Sequence, residues 1–380
     1  MTGRHYLDHA ATSPLRDCAR DAVVAALGAG NPNGQYASGR AARRILEESR
    51  ETVAGLLGAD PVEVVFTSGG TEADNLAVQG LYLARSGSTI VLPAIEHDAV
   101  RKIARHLEKE HWAEIAEAAV GADGRIDVDR LPELDRRDTA LVACMMANNE
   151  TGAVQPIDAV AAACRAARVP LHIDAVQAAG HLPIDFHALG AATLAVSAHK
   201  FGGPRGIGAL LVRRDAAPVP HVHGGGQERG LRSGTPDVAA AAGMAAALTE
   251  AVATREAEDA RLRALRDRLR DGLAALTPDL VVHTTEPSLP GHLHVGVSGA
   301  EGDSLIMLLD NAGIECSTGS ACSAGVNRPS HVLLAMGVAE PLARGALRFT
   351  LGHTTTEADV DAVLGAWGDT VARARAAGMA

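Results

Sequence analysis

Short apolar segments alternate with longer amphipathic segments along the first 214 residues of the chain. The apolar runs have the length and composition of buried strands, and they lie at 62–68, 88–94, 139–147, 169–175, 192–198 and 207–214. Between the first of these runs, the intervals 71–84 and 97–110 have helical periodicity. Because strands that alternate with helices favour parallel pairing, the pattern predicts an α/β fold with a mostly parallel sheet.

The pattern changes near residue 250. The segment 256–276 is charged and amphipathic over its whole length, so it predicts a long helix. Residues 277–380 mix short strand-like and helical segments, which indicates a smaller α+β unit. The sequence therefore predicts two closely packed domains, a large domain of residues 15–255 and a small domain of residues 1–14 with 256–380.

Composition and charge narrow the class of protein. A formal net charge of −11 argues against a general nucleic-acid binder, which is usually basic. The most apolar stretch, 238–252, is short and alanine-rich, so it predicts a buried helix rather than a membrane span. The N-terminus lacks the apolar core of a signal peptide, and the five cysteines are scattered without CxxC spacing. A reduced, cytoplasmic protein is the expectation.

Lysine is rare in this chain. Only three of the 35 lysine and arginine residues are lysines, and Lys102 and Lys109 lie within the amphipathic segment 97–110, as expected for helix-face cations. Lys200 instead follows an apolar run and precedes "FGGPRG". It is either a structural loop cation or a lysine that forms a Schiff base, a reaction that needs the primary amine that arginine lacks.

The segment "FTSGGTEADN" (66–75) has the order strand, glycine turn, helix start. Backbone N–H groups of the turn, together with the hydroxyls of Ser68 and Thr71, could hold a phosphate. The alternative is a tight connection in which Thr71 is the N-cap of the helix. No Gly-Lys-Ser/Thr follows, so the segment is not a Walker loop.

Two further residues match a flat, charged ligand. Asp174 lies near the end of an apolar run, where its carboxylate could pair with a protonated pyridine nitrogen. The alternative is that Asp174 caps the next helix. His97 lies at a strand-to-helix junction, where it could stack on a ring and move protons, or simply begin the helix. Together with Lys200 and the phosphate segment, these residues describe a pyridoxal 5′-phosphate site.

The segment "CSTGSACSAGVNRPS" (316–330) surrounds Cys322 with small residues, which suits an accessible thiolate nucleophile. Cys316 is closer to an apolar run and is expected to be structural, and the spacing of the two cysteines does not match a zinc site. Arg348 lies in a strand-like run before a helix that Thr356 could cap. Its guanidinium suits an amino-acid carboxylate, or a salt bridge at a domain boundary.

The chain resembles the cysteine desulfurases in segments that occur in order along its whole length. These segments are "YLDHAATSP", "FTSGGTEADN", "EHDAV", "NNETG", "HIDAVQAAG", "SAHKFGGPRGIG", "GGGQERGLRSGT", "STGSACS" and "RFTLGHTTTEAD". The resemblance implies the aspartate aminotransferase-like (fold type I) architecture of pyridoxal-phosphate transferases and a homodimer. It also implies conversion of L-cysteine to L-alanine, with the sulfur passing to an enzyme persulfide.

The resemblance also implies a role for each matching position. Lys200 would be the Schiff-base lysine, His97 the ring-stacking acid/base, and Asp174 the partner of the pyridine nitrogen. The phenolate oxygen would lie near Asn149 and Gln177, and the phosphate would be held by Gly70, Thr71, Ser197 and His199. Arg348, with Asn149, would bind the substrate, and Cys322 would carry the persulfide. Thr235 would reach the phosphate of the neighbouring subunit.

Within the family, "STGSACS" resembles the subgroup with the longer, mobile cysteine loop. That subgroup delivers sulfur to acceptor proteins, either an iron–sulfur scaffold or a tRNA thiolation protein. One departure is Tyr36 in "GNPNGQYASG", where relatives often have histidine. Alternatives are a selenocysteine lyase or an aminotransferase on the same fold, and a silent scaffold that binds a sulfur acceptor. A nicotinamide enzyme is disfavoured because the chain lacks the dinucleotide fingerprint.

Overall fold

The computed structural model describes residues 3–319 and 329–378. The strands in the described residues are β1 (His5–Tyr6), β2 (Val64–Thr67), β3 (Thr89–Pro93), β4 (Glu114–Ala118), β5 (Thr139–Met145), β6 (Leu171–Asp174), β7 (Thr193–Ser197), β8 (Gly208–Val212), β9 (Val281–Val282), β10 (His292–Gly296), β11 (Ile314–Glu315) and β12 (Ala346–Thr350). The α-helices are α1 (Asp17–Ala26), α2 (Ala37–Leu56), α3 (Gly70–Leu83), α4 (Asp98–His111), α5 (Ile157–Ala167), α6 (Phe186–Leu189), α7 (Val238–Leu276), α8 (Gly302–Asn311), α9 (His331–Ala335), α10 (Glu340–Arg344) and α11 (Glu357–Gly378).

Seven strands form the large sheet, in the order β2-β8-β7-β6-β5-β3-β4. All neighbouring pairs are parallel except the two that involve β8, so the predicted mostly parallel sheet is confirmed. The strand β8 is antiparallel because only a short connection joins it to β7, whereas a parallel partner needs a longer crossover. The edge strand β4 was not predicted, since its sequence "EIAEA" lacks a continuous apolar run.

The free edge of β2 is covered by a side chain rather than by another strand. Glu228 accepts a hydrogen bond from the backbone N–H of Phe66 at 2.8 Å. The same carboxylate forms a bidentate salt bridge with the guanidinium of Arg50, with N–O distances of 2.7 and 2.8 Å. This carboxylate pairs the exposed strand edge and fixes the start of the loop that leads to Thr235.

The two helical segments predicted at 238–252 and 256–276 form one helix, α7, so their prediction as separate elements is wrong. Asp237 caps its start by accepting a hydrogen bond from the N–H of Ala240 at 2.9 Å. The three residues between the segments are Ala, Thr and Arg, none of which interrupts a helix. The helix therefore continues through the predicted domain boundary at residue 255.

Buried apolar residues form two main clusters. The larger one, from Ala19 to Leu289, packs the helices against the large sheet. The second combines Leu7, the last part of α7, α8, α11 and the antiparallel sheet β12-β10-β9, around the fully buried Trp367. This distribution agrees with the predicted large and small domains, whose limits stay a prediction. Within the described residues, no helix is long and apolar enough to span a membrane.

Candidate active site

The carboxyl ends of the parallel strands β2, β3, β5, β6 and β7 meet at one edge of the sheet, where open α/β proteins bind ligands. A cavity of about 260 Å³ lies there. Nine positions named from the sequence line it: Gly70, Thr71, His97, Asn149, Asp174, Gln177, Ser197, His199 and Lys200. Each lies at or shortly after the end of a strand, and the fold therefore brings these positions together.

Lys200 ends a short helical turn that follows β7. Its Nζ donates hydrogen bonds to the carbonyl oxygens of Ala10 at 2.5 Å and Ala11 at 3.1 Å. Burial, and to a lesser extent the positive charge of Arg348, lower the pKa of the Lys200 amine to about 8. At that pKa about a tenth of the amine is neutral at pH 7 and about half at pH 8, so the nucleophilic, proton-accepting form is accessible.

The other two lysines are in a different environment. Lys102 is exposed and pairs with Asp98 at 2.7 Å, one turn away on α4. Lys109 is also exposed and lies 3.2 Å from Glu110. Both are helix-face cations, as predicted, and only Lys200 faces the cavity.

Asp174 is the last residue of β6 and is buried. One carboxylate oxygen accepts a hydrogen bond from the N–H of Val176 at 2.9 Å, so the residue stabilises its own turn while also lining the cavity. Burial raises the pKa of Asp174, and the neighbouring His97 and Lys200 counteract that effect. A cationic ring N–H in the cavity would favour the charged carboxylate further.

His97 is the N-cap of α4, as one interpretation predicts, and it also lines the cavity, where the stacking and proton-transfer role stays a prediction. Its Nδ1 accepts a hydrogen bond from the N–H of Ala99 at 3.1 Å. With Nδ1 used as an acceptor, the proton of the neutral ring is assigned to Nε2. The capping bond thus sets both the orientation and the tautomer of this ring.

The start of α3 gives the cavity groups that suit an anion. The helix α3 begins at Gly70, with Gly69 as its N-cap at φ 152°, so Thr71 lies within the helix and is not the cap. The first N–H groups of a helix have no intrahelical acceptor and attract anions. A Cβ on Gly70 would lie 2.6 Å from Cγ2 of Val176 and only 3.5 Å from Cβ of Ser197. Because Gly70 has no side chain, the space at the start of α3 stays open for a ligand.

The donor set fits pyridoxal phosphate. A helix N-terminus and the hydroxyls of Thr71 and Ser197 suit its phosphate, the carboxylate of Asp174 suits its ring nitrogen, and the partly neutral amine of Lys200 suits its aldehyde. His199 also lines the cavity, and burial lowers the pKa of its imidazole to about 4. It is therefore neutral at physiological pH and can donate one hydrogen bond.

Arg348 lies on β12, and its guanidinium reaches the residues around the cavity. One terminal nitrogen donates to the backbone oxygen of Asn149 at 2.8 Å, and the other donates to Asp8 at 2.5 Å. The side chain is buried, and its Nε has no hydrogen-bond partner among the described residues. A buried donor without a partner is costly, so Arg348 has unused capacity for an anionic ligand.

Two further carboxyl groups near Asp174 were not identified from the sequence. Asp74 lines the cavity and lies 3.2 Å from Nε2 of His172, while Glu96 is fully buried and accepts from the N–H of Met145 at 2.5 Å. Burial, and then the charge of Asp174, raise the pKa of both carboxyl groups well above the ordinary values. Both shifts disfavour the ionised forms of Asp74 and Glu96 while Asp174 carries its charge.

Other residues named from the sequence either do not line this cavity or fall outside the described residues. Thr235 is exposed and does not line the cavity of its own chain. Cys322 falls in 320–328, outside the described residues. Cys316 follows β11, and desolvation raises the pKa of its thiol to about 12, which agrees with a structural rather than a reactive cysteine. Tyr36 is exposed and precedes α2.

Comparison with known proteins places the chain among related sequences and structures. The aminotransferase class-V family profile matches residues 5–363. The chain is 50% identical to an IscS-like cysteine desulfurase of Mycobacterium tuberculosis, over 99% of this chain and 98% of that protein. It is 40% identical to the cysteine desulfurase IscS of Dictyoglomus turgidum, over 94% and 92% of the two chains. A solved NifS-like protein, 34% identical, superimposes with a TM-score of 0.91 over 97% of this chain and 100% of the other.

Proposed function

The chain belongs to the aminotransferase class-V family, and within it to the pyridoxal-phosphate-dependent cysteine desulfurases; from that premise, we propose that it transfers the sulfur of L-cysteine to Cys322 and releases L-alanine. Family membership confirms the predicted fold type I architecture and pyridoxal 5′-phosphate as the cofactor. The observation that carries the proposal is the cavity in which the Lys200 amine, of lowered pKa, lies with Asp174 and the N-terminus of α3.

Particular residues would hold the cofactor. Lys200 would bind it covalently, Asp174 would pair with its ring nitrogen, and His97 would stack on the ring. Gly70, Thr71, Ser197 and His199 would bind the phosphate, and Asn149 and Gln177 would lie beside the phenolate oxygen. When bound, the cofactor supplies a ring that accepts the electron pair left at the α-carbon of the substrate.

The protein's own groups would bind the substrate and move its protons. Arg348 would bind the α-carboxylate of cysteine, because its buried guanidinium keeps an unused Nε donor. The amine of Lys200, with a pKa of about 8, would accept the α-proton. His97, whose proton is assigned to Nε2, would exchange a proton during cleavage of the C–S bond.

The sulfur step would take place at Cys322. Its thiolate attacks the substrate sulfur, so that an S–S bond forms while the substrate C–S bond breaks. The electron pair of the broken bond, together with a proton, ends in the methyl group of alanine. The enzyme is left with a persulfide, and a thiol acceptor then takes its terminal sulfur by attack on the S–S bond.

The finer points of this proposal concern partners and assembly. The acceptor would be an iron–sulfur scaffold or a tRNA thiolation protein, and the enzyme would work in the cytoplasm as a homodimer. Thr235 would bind the phosphate held by a second copy of the chain. Its exposure outside its own cavity supports this role, as does the attachment of the preceding loop through Glu228.

Product analysis tests the function. Wild type, Cys322→Ala and Cys18→Ala would be given L-cysteine and a reductant, and sulfide and alanine would be measured. Cys18 is a matched control because its thiol lies on α1, with a pKa raised to about 11. We expect equimolar products from wild type and Cys18→Ala and none from Cys322→Ala. Cysteine consumption by Cys322→Ala at the wild-type rate would overturn the role of Cys322 and favour lyase or aminotransferase chemistry.

Subunit mixing tests the shared site. Lys200→Ala abolishes its own site, and Thr235→Asp places a carboxylate against the phosphate of the other subunit. If the site is shared, co-refolded mixtures contain dimers in which one site carries both changes and the other carries neither. Random pairing then restores about a quarter of the wild-type activity. Mixtures that stay inactive would contradict a shared site.

A further inference from the structure

The N-terminal segment Asp8–Ala11 contacts two residues of the proposed substrate site, Arg348 and Lys200. Asp8 accepts a hydrogen bond from Arg348 at 2.5 Å, while the carbonyl oxygens of Ala10 and Ala11 accept from Lys200. In addition, the charges of Asp8 and Arg348 shift the pKa of Lys200 in opposite directions. Asp8 is therefore a resident carboxylate in the place where an amino-acid substrate brings its own.

The pair is well shielded from water. The side chain of Arg348 is 5% exposed and that of Asp8 is 19% exposed. Among the five N–H bonds of the guanidinium, one is directed to Asp8 and one to the backbone oxygen of Asn149. A carboxylate ligand would thus meet an arginine whose charge is already partly compensated.

Anchoring of the N-terminal segment does not require this ion pair. The N–H of His9 donates to the Thr350 carbonyl at 3.2 Å, and the N–H of Ala10 donates to the Thr350 hydroxyl at 2.9 Å. Leu7 and Thr350 are also joined through their backbones at 2.8 Å. These bonds hold the segment beside β12 without the ion pair, so the carboxylate of Asp8 acts on Arg348 rather than on the anchoring of the segment.

We propose that Asp8 is a positioning residue of the reaction: it holds the guanidinium of Arg348 in place and, through its negative charge, limits the affinity of the site for carboxylate ligands. The inference rests on the proposed function. Substrate and product both carry an α-carboxylate, so a site that compensates Arg348 in advance binds both less tightly and releases L-alanine more readily.

Two substitutions separate charge from position. Asp8→Asn keeps an oxygen that accepts from Arg348 but removes the charge, whereas Asp8→Ala removes both. Holoenzyme would be titrated with L-alanine, and binding followed by the absorbance of the bound cofactor. Steady-state kinetics with L-cysteine would give KM and kcat separately. Asp279→Asn is the matched control, since it breaks a partly exposed pair with Arg375.

We expect Asp8→Asn to bind L-alanine about tenfold more tightly, on the order of 1.4 kcal/mol, with a lower KM and a lower kcat. Asp8→Ala should bind L-alanine more weakly than Asp8→Asn, because Arg348 loses the acceptor that orients it. The Asp279→Asn control should match wild type. Cofactor-loaded Asp8→Asn with unchanged or weaker alanine binding would overturn the proposal. A wild type that binds L-alanine but releases no sulfide would instead refute the proposed function.

Discussion

Replacing Lys200 with methionine in the cofactor-free protein should change stability in a way that depends on pH. The pKa of Lys200 is lowered from 10.5 to about 8 in the folded protein, because burial and Arg348 disfavour the ammonium form. In the unfolded chain the amine keeps its proton up to its ordinary pKa. Between these two values the unfolded state binds more protons, so the free energy of unfolding rises with pH.

The size of the effect follows from the two pKa values. The full difference corresponds to about 3 kcal/mol, at about 1.4 kcal/mol for each unit of pKa. Between about pH 7.5 and about pH 9.5, a single group with these pKa values gains about 2 kcal/mol. Methionine does not titrate, so the wild type should gain about 2 kcal/mol over Lys200→Met in that window. The substitution also removes packing contacts and hydrogen bonds. Their contribution is the same at both pH values, so it cancels when the two stability differences are subtracted.

Urea unfolding of both apoproteins at these two pH values would measure the difference. Lys102→Met is the control, because that lysine is exposed and its pair with Asp98 lies at the surface of α4. The control should follow the wild type at both pH values. If the free energy of unfolding of wild type, relative to that of Lys200→Met, stays constant or falls as pH rises, a lowered pKa of Lys200 is refuted.

Three other changes test different parts of the structure. Asp174→Asn should lower kcat/KM for L-cysteine by about a hundredfold or more and weaken cofactor binding, as measured by steady-state kinetics and cofactor fluorescence. Glu228→Gln leaves the buried Arg50 without its carboxylate and should lower the free energy of unfolding by about 3 kcal/mol in urea. Gly70→Ala places a methyl group 2.6 Å from Val176 and should raise the dissociation constant for pyridoxal phosphate at least about tenfold, while Gly55→Ala, in open space on α2, should not.

The positions that line the cavity could be predicted from the sequence because each lies at or shortly after the end of a strand. Lys200 and Asp174 stand out locally, one as a rare lysine and the other as a carboxylate after an apolar run. Parallel pairing then brings strand ends together, whatever their separation in sequence. The continuity of α7 was missed because a change from apolar to charged composition resembles a boundary, although no residue there ends the helix.

The groups that tune the site were missed because their partners are distant in sequence. Asp8 and Arg348 are 340 residues apart, and Asp74 and His172 are 98 apart. No periodicity within either segment indicates that the two will meet. The raised pKa of Glu96 is likewise a result of complete burial and of the charge of Asp174, which only the folded chain reveals.

The central claim is that sulfur leaves L-cysteine by way of Cys322. The most direct test is a single turnover of holoenzyme with one equivalent of L-cysteine and no reductant, followed by mass spectrometry of peptides and measurement of alanine. We predict one additional sulfur atom on the peptide that contains Cys322, in equal amount to the alanine formed. Alanine formed without added sulfur on that peptide, or with the sulfur on Cys18 or Cys316 instead, would contradict the account.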